Sequence, residues 1–307
     1  MSYANVKQRL QTGETLILDG GTGTELERRG IVMDPDVWCG TASLGNVRAL
    51  IDIHKDYIAA GADIITANTY ASSRLMLEPA GFGDRFTEIN KNAISAAQQA
   101  RKESGRHDVL VAGSLSHMTP LGSGSAVADP QRAPSQTKMK ECFRELALLI
   151  KDEGCDFILL EMMYFPERIP IAIEAALASG LPVWLGLSAR RGDNGQLISF
   201  AQDREIPFAD IVHILKDYEL DVAGVMHTPS NLIDEAISIL REEFTGSLMA
   251  YPDSGYFTMP KWQFKNIIPP AEFLDFANSW VDSGVQIVGG CCGLSPGHIE
   301  VLADLNK

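Results

Sequence analysis

The amino-acid sequence predicts a (β/α)8 barrel, an α/β fold in which eight parallel strands alternate with helices. Eight short apolar runs alternate strictly with eight helical patterns along the 307 residues. Most of the runs are continuously apolar, as expected of parallel strands that are buried on both faces. The longest connections follow strands, which places them at the carboxyl ends of the strands, where (β/α)8 barrels carry their active sites. A doubly wound open sheet shares the alternation, but it does not usually need eight units.

The predicted strands are rich in Val, Ile and Leu, and several end in glycine or in a polar residue. Such endings are typical of strands whose carboxyl ends border a site. In chain order the predicted strands are 15–21, 63–70, 109–115, 157–161, 182–188, 222–227, 248–253 and 286–290.

The predicted helices have apolar residues at helical spacing and recognisable ends. Gly61 follows the first helix, and the fourth begins at Pro166 and ends before Gly180, as helix-terminating glycine and helix-starting proline lead one to expect. The predicted helices are 47–60, 86–101, 137–152, 166–179, 210–218, 231–243, 271–282 and 296–305. Connections 22–46, 116–135 and 254–270 are long enough to serve as lids or binding loops.

Composition narrows the classes of function. The formal net charge is −14, which argues against nucleic acid or an anionic membrane as a partner. No apolar stretch approaches the roughly 20 residues of a membrane span, and the N-terminus lacks the apolar core of a signal peptide. Five scattered cysteines fit a reducing compartment without a disulfide framework. The sequence therefore predicts a soluble cytoplasmic protein. It shows no linker, low-complexity tract or second domain, so a single domain, residues 1–307, is expected.

Cys291 and Cys292 lie between glycines, directly after the last predicted strand. Adjacent strand residues point to opposite faces, so both sulfurs can reach one point only where the chain leaves the strand and bends. A thiophilic metal would explain the pair, and two buried thiols that act as small hydrophobes are the alternative. His227 ends the sixth predicted strand. One imidazole and two thiolates would give Zn²⁺ three protein ligands and leave its fourth position open, as in catalytic zinc sites. The alternative for His227 is a hydrogen-bonded histidine at the barrel rim.

Asp19 and Glu161 end the first and fourth predicted strands, so both acids are expected at the same mouth. They would repel each other unless a cation lies between them, and the ammonium group of a substrate is one candidate. A substrate carboxylate could meet backbone N–H groups in the turn that includes Gly20 and Gly21. The alternative for each acid is a structural hydrogen bond at a strand end.

The sequence resembles the homocysteine S-methyltransferase family, which includes S-methylmethionine- and betaine-dependent enzymes and the homocysteine domain of cobalamin-dependent methionine synthase. The resemblance runs from the first predicted strand to the last, and is carried by segments 19–26, 66–70, 224–225, 251–255 and 289–293. It implies a zinc (β/α)8 barrel that binds homocysteine through its sulfur and methylates it. The acids that bind the amino acid in the family map onto Asp19 and Glu161, and a further substrate site maps onto Asn68 and Thr69.

One position departs from the family pattern. The family normally ends the sixth predicted strand with Gly-Val-Asn-Cys, in which the cysteine is the third zinc ligand. Here the segment is Gly224-Val225-Met226-His227, so the ligand position carries over to His227. A neutral imidazole makes the metal site less negative than a third thiolate would. We therefore expect a less nucleophilic bound sulfur and a preference for a sulfonium donor over a quaternary ammonium donor such as betaine.

The function that the resemblance implies is an SN2 methyl transfer to the thiol of homocysteine, which gives methionine. Two other functions remain open at this point. One is a zinc hydrolase on the same barrel, with water in the open position and Glu161 or Asp253 as the base. The other is a metal-free binding protein that has lost the chemistry. The sequence does not predict the oligomeric state.

Overall fold

The computed structural model describes residues 3–120, 122, 129–258 and 263–305. The main sheet has eight parallel strands, numbered here in chain order: β1 (Leu16–Ile17), β2 (Ile64–Ala67), β3 (Leu110–Ser116), β4 (Phe157–Met163), β5 (Val183–Leu187), β6 (Val222–Pro229), β7 (Ser247–Asp253) and β8 (Ile287–Val288). From β2 to β8 each strand pairs with the next, and β8 pairs with β1. Leu18 bridges to Ile64, which closes β1 against β2. The sheet is therefore a closed barrel, and the predicted (β/α)8 fold is confirmed.

Helices separate consecutive strands of the barrel. The α-helices are α1 (Tyr3–Gln11), α2 (Thr22–Arg28), α3 (Val47–Ala59), α4 (Arg74–Leu77), α5 (Phe86–Glu103), α6 (Gln136–Asp152), α7 (Ile169–Leu177), α8 (Phe208–Val212), α9 (Ile233–Glu243), α10 (Pro270–Asp282) and α11 (Pro296–Glu300). All eight predicted helices are present. Three of them differ by more than two residues at one end: α7 begins at Ile169 rather than at Pro166, and α8 and α11 are short and continue as 3-10 helices, His213–Asp217 and Val301–Asp304. No helix within the described ranges is both long and apolar enough to cross a bilayer.

Helix α1 closes the N-terminal end of the barrel. Its Val6 and Leu10 are buried with the side chains that fill the barrel interior. Tyr3 accepts a hydrogen bond from Trp184 Nε1 (2.9 Å) and donates one to Asp221 (2.8 Å), which ties the helix to β5 and to the start of β6. Because this end is packed with apolar side chains, the barrel opens toward solvent at the carboxyl ends of its strands.

The connections at the carboxyl ends contain more structure than the sequence predicts. The connection after β1 contains α2, and the connection after β2 contains α4. The connection after β5 folds into an antiparallel hairpin, Ala189–Arg191 with Leu197–Ser199, and the one after β7 into another, Tyr256–Thr258 with Gln263–Lys265. Parts of the predicted long connections after β3 and β7 lie outside the described residues.

Candidate active site

Three candidate metal ligands converge at the mouth of the barrel. Their donor atoms, the Sγ atoms of Cys291 and Cys292 and a ring nitrogen of His227, all lie within 4.8 Å of one another. Cys291 Sγ is 3.5 Å from His227 Nδ1 and 3.9 Å from Cys292 Sγ. All three side chains are buried. The structure thus brings together the three residues that the sequence singled out as ligands.

The cysteine pair is held by a tight turn rather than by a strand. Strand β8 ends at Val288, so both cysteines lie where the chain bends, as their side-chain directions require. Gly293 has a φ of 85°, and a Cβ there would come within 2.2 Å of the carbonyl oxygen of Ser254. The N–H of Gly293 donates to Thr24 Oγ1, and the N–H of Cys291 donates to the carbonyl of Pro252. These contacts aim both sulfurs into the mouth.

His227 reaches the sulfurs because strand β6 is irregular at that point. The register of the β6–β7 pairing shifts between Met226 and Pro229, and the φ of His227 is 43°. A bulge of this kind re-aims a side chain that would otherwise follow the strand alternation. Trp38 and Met162, which line the same mouth, also have positive φ, of 50° and 51°. Left-handed backbone in such residues costs roughly 1–3 kcal/mol and clusters at functional sites.

The donor set fits a tetrahedral zinc ion. With Zn–S bonds of about 2.3 Å and a Zn–N bond of about 2.0–2.1 Å, tetrahedral angles place two sulfurs about 3.8 Å apart and a sulfur and a nitrogen about 3.6 Å apart. The separations of 3.9 Å and 3.5 Å in the structure are close to these values. Two thiolates and one imidazole also match the ligand types that zinc prefers. Three protein ligands leave one position for an exogenous atom.

Asp253 faces the other side of the His227 ring. Its Oδ2 lies 3.7 Å from His227 Nε2, while Nδ1 faces the sulfur of Cys291. Burial acts to lower the pKa of His227, but the Asp253 carboxylate and the Cys291 thiol outweigh it and raise that pKa to about 9. The imidazole is therefore protonated on both nitrogens at neutral pH in the metal-free protein, and metal binding must displace one of these protons.

The two acids expected at the mouth differ in what they contact. Glu161 lines the cavity, whereas Asp19 does not. Asp19 accepts hydrogen bonds from the N–H (2.6 Å) and the hydroxyl (3.0 Å) of Thr66 and from the hydroxyl of Tyr251 (3.1 Å). Burial raises the pKa of each acid to about 7. Asp19 is thus one layer behind the cavity wall, and Glu161 is the acid that a ligand would meet.

The glycine turn and the β2 end were also predicted to bind substrate. Gly20, Gly21 and Asn68 line the cavity. A Cβ on Gly21 would lie 2.5 Å from the carbonyl oxygen of Cys291, so only glycine lets the two turns pack this closely. The Asn68 amide donates to the carbonyl of Cys39, another cavity residue (2.9 Å). Thr69 instead directs its hydroxyl to the carbonyl of Ser114 (2.7 Å) and does not line the cavity.

Aromatic side chains form much of the remaining wall, and the sequence analysis did not single them out. The cavity has a volume of about 170 Å³ and is lined by Trp38, Tyr70, Tyr164 and Phe200, which come from four different connections. The ring centroid of Phe200 is 5.1 Å from that of His227, and Trp38 meets Tyr70 edge to face at 6.0 Å. Each of these residues follows a strand end, and that placement was the available signal.

Comparisons with known proteins agree with this architecture. Residues 16–305 match the profile of a family described as homocysteine S-methyltransferase. The chain is 26% identical over 332 residues to homocysteine S-methyltransferase 2 of Arabidopsis thaliana, with 98% of this chain and 96% of that protein covered. It is 25% identical over 320 residues to betaine–homocysteine S-methyltransferase 1 of Bos taurus, with 97% of this chain and 74% of that protein covered. The metallated form of the homocysteine methyltransferase MmuM from Escherichia coli has a TM-score of 0.76 at 22% identity, with 96% and 97% of the two chains covered, and so shares the fold.

Proposed function

Since this chain belongs to the homocysteine S-methyltransferase family, we propose that it transfers a methyl group from an onium donor to the thiol of homocysteine, which gives methionine. One observation carries the proposal. The donor atoms of His227, Cys291 and Cys292 converge at one side of a cavity that is also lined by a buried carboxylate and five aromatic side chains. Such a cavity offers separate places for a thiol, an ammonium group and a methyl-bearing cation.

We propose Zn²⁺ as the metal, held by His227, Cys291 and Cys292. A free thiol has a pKa near 8.5 and is mostly protonated at neutral pH. Zinc bound there would supply Lewis acidity that makes the acceptor sulfur a thiolate at neutral pH. The buried protein ligands fix where that sulfur lies, and the cavity walls fix the direction from which a donor can approach.

The acceptor's amino and carboxylate groups have matching partners in the cavity wall. Glu161 supplies a carboxylate for the ammonium group. Asp19 lies behind another part of the cavity wall, where it accepts hydrogen bonds from the Thr66 and Tyr251 hydroxyls, and both of those residues line the cavity. The N–H of Gly21 is already bonded to the carbonyl of Leu294. Thr22 and Gly23 also line the cavity, so their N–H groups are the ones that a carboxylate would meet. This arrangement would orient homocysteine with its sulfur toward the cysteines.

The aromatic walls suit a methylated cation. A sulfonium or quaternary ammonium group is attracted to the faces of Trp, Tyr and Phe rings by about 0.5–2 kcal/mol. Trp38, Tyr70, Tyr164 and Phe200 provide such rings around the cavity. In the reaction the acceptor sulfur forms a bond to the methyl carbon, and the donor's bond to that carbon breaks with its electron pair. The donor leaves as a neutral thioether or amine, and the thiol proton passes to solvent when the acceptor binds.

Metal analysis combined with a donor screen tests the proposal. Purified protein is assayed for zinc, and zinc-loaded protein is incubated with homocysteine and S-methylmethionine, S-adenosylmethionine or betaine while methionine is measured. We expect about one zinc per chain, methionine formation with a sulfonium donor, and X-ray absorption that gains a sulfur neighbour when homocysteine is added. A protein that binds no zinc would support the binding-protein alternative. Zinc without any methyl transfer, but with hydrolysis of an ester or amide, would support the hydrolase.

A further inference from the structure

Asp253 is a buried carboxylate outside the cavity that the proposed reaction leaves without a role. It ends strand β7 and is 9% exposed. Its Oδ1 is buried and has no hydrogen-bond partner within the described part of the chain. Its Oδ2 has His227 Nε2 at 3.7 Å. A buried carboxylate without donors is unfavourable unless a neighbouring group compensates for it, so its placement against His227 requires an explanation.

The His227 ring is held from three sides. Cys291 Sγ lies 3.5 Å from Nδ1, Asp253 Oδ2 lies 3.7 Å from Nε2, and the Phe200 ring packs against the imidazole at an interplanar angle of 79°. The positive φ of His227 shows that this orientation is maintained against a backbone preference. The two ring nitrogens therefore have different surroundings, with sulfur on one side and a carboxylate on the other.

We propose that Asp253 is a positioning residue for the metal site: it holds the Nε2 side of His227, presents Nδ1 to the metal and adds a negative charge next to the neutral imidazole. The inference rests on the proposed metal centre. A carboxylate behind a histidine that binds a metal orients the ring and raises its basicity. The separation of 3.7 Å is that of an ion pair rather than of a hydrogen bond. The charge of Asp253 therefore acts on the ring even without a closed hydrogen bond.

The proposal has a distinctive consequence for a variant at the ligand position. Asp253 faces His227 in the metal-free site as well as in the zinc-bound site, so its charge acts on both states, and the gain in zinc affinity comes from holding the ring with Nδ1 toward the metal. In a His227→Cys variant there is no ring to hold, and the carboxylate would face a third thiolate. The same carboxylate should therefore strengthen zinc binding in the wild-type background and leave it unchanged or oppose it in the His227→Cys background.

A double-mutant cycle on zinc affinity tests this consequence. Affinity is measured by competition with a chromophoric chelator for the wild type, Asp253→Asn, His227→Cys and the double variant. In the wild-type background Asp253→Asn should weaken zinc binding about 10- to 100-fold, the range for residues that orient a metal ligand. In the His227→Cys background it should leave zinc binding unchanged or tighten it. Weakening by the same factor in both backgrounds, or no weakening of the wild type, would overturn the proposal.

Glu272 provides a matched control, and a spectrum of the wild type provides an independent check. Glu272 lines the same outer pocket as Asp253 but is exposed, so Glu272→Gln should leave zinc affinity unchanged. If Asp253→Asn does not fold, ¹⁵N-histidine NMR of zinc-loaded wild type still decides. His227 should bind through Nδ1 and carry its proton on Nε2, and binding through Nε2 would refute the idea. Because neither measurement depends on turnover, a positive cycle in a protein without methyl transfer would leave this inference intact and reject the proposed reaction.

Discussion

Replacing Glu161 by glutamine should separate the binding of the acceptor's amino group from every other role of the site. Glu161 is the one carboxylate among the described residues that line the cavity, and it is 8% exposed. Glutamine keeps the shape of the side chain and removes its charge. Removing one member of a buried ammonium–carboxylate pair costs about 2–5 kcal/mol. At 1.4 kcal/mol per factor of ten, kcat/KM for homocysteine should fall roughly 30- to 4,000-fold.

The assay uses two acceptors that differ only in the amino group. Zinc-loaded wild type and Glu161→Gln are compared with homocysteine and with 4-mercaptobutanoic acid, which keeps the thiol and the carboxylate. The large loss should appear with homocysteine and shrink to at most about threefold with the des-amino acceptor, because that acceptor has no ammonium group to lose. Zinc content is measured for both proteins, so that loss of metal is not mistaken for loss of binding.

Asp19→Asn is the matched control, because it removes a buried carboxylate that does not line the cavity. Asp19 meets Thr66 and Tyr251 instead of the cavity, so its variant should lose less activity with homocysteine than Glu161→Gln does. More of its loss should persist with the des-amino acceptor, because both hydroxyls are repositioned for either substrate. An equal fall for both acceptors in Glu161→Gln would mean that Glu161 does not contact the ammonium group. Unchanged kinetics with homocysteine would remove Glu161 from the binding site altogether.

Three further predictions test the metal, the donor wall and the acid sensitivity of the fold. Cys291→Ala should lose zinc, measured by mass spectrometry of the metal, yet unfold within a few degrees of the wild type, because the barrel core does not depend on the ion; full metal retention would contradict the ligand assignment. Phe200→Leu should lower kcat/KM for the onium donor about 2- to 30-fold, the equivalent of one cation–π contact, with little change in KM for homocysteine. An unchanged kcat/KM for the donor would mean that the methyl donor binds away from Phe200. His54 is fully buried, and burial lowers its pKa to about 4. As pH falls from about 6.5 toward 4, the unfolded chain binds a proton at this residue before the folded protein does, so the free energy of unfolding falls by up to roughly 3 kcal/mol. In denaturant unfolding at pH 7.5 and 4.5, His54→Leu should reduce this loss and the exposed-site control His213→Gln should not, and an equal loss in all three proteins would refute the assignment.

The barrel could be predicted because its signal repeats along the chain. Each unit contributes an apolar strand and a helix with periodic apolar residues, and eight such units are consistent with few folds. Helix α1 could not be predicted in the same way. It is nine residues long, and its place depends on contacts such as Trp184 with Tyr3, which are far apart in sequence. Short helices gain their stability from such tertiary contacts rather than from local propensity.

Topology also explains which parts of the candidate site were foreseen. The ends of β6 and β8 lie close together in any such barrel, so the proximity of His227 to the cysteine pair follows from the order of strands. The direction of an individual side chain depends on local backbone geometry, which the sequence does not reveal. Asp19 and Thr69 therefore turn toward neighbouring backbone groups, although both lie at strand ends as predicted. Phe200 was missed because the connection that carries it was not recognised as long.

The charge of the metal site illustrates how the structure changes a conclusion drawn from sequence. An imidazole in place of a third thiolate predicts a less negative centre, and hence a weaker sulfur nucleophile that needs a reactive sulfonium donor. Asp253 returns one negative charge to the surroundings of His227. The charge is not equivalent to a thiolate, because it lies on the far side of the imidazole ring from the sulfurs, and Coulomb energy falls with distance. The nucleophilicity of the acceptor sulfur should therefore lie between that of a His/Cys/Cys centre without the carboxylate and that of a three-thiolate centre. We therefore still expect a sulfonium donor to be preferred to betaine, by a smaller margin than the ligand count alone implies.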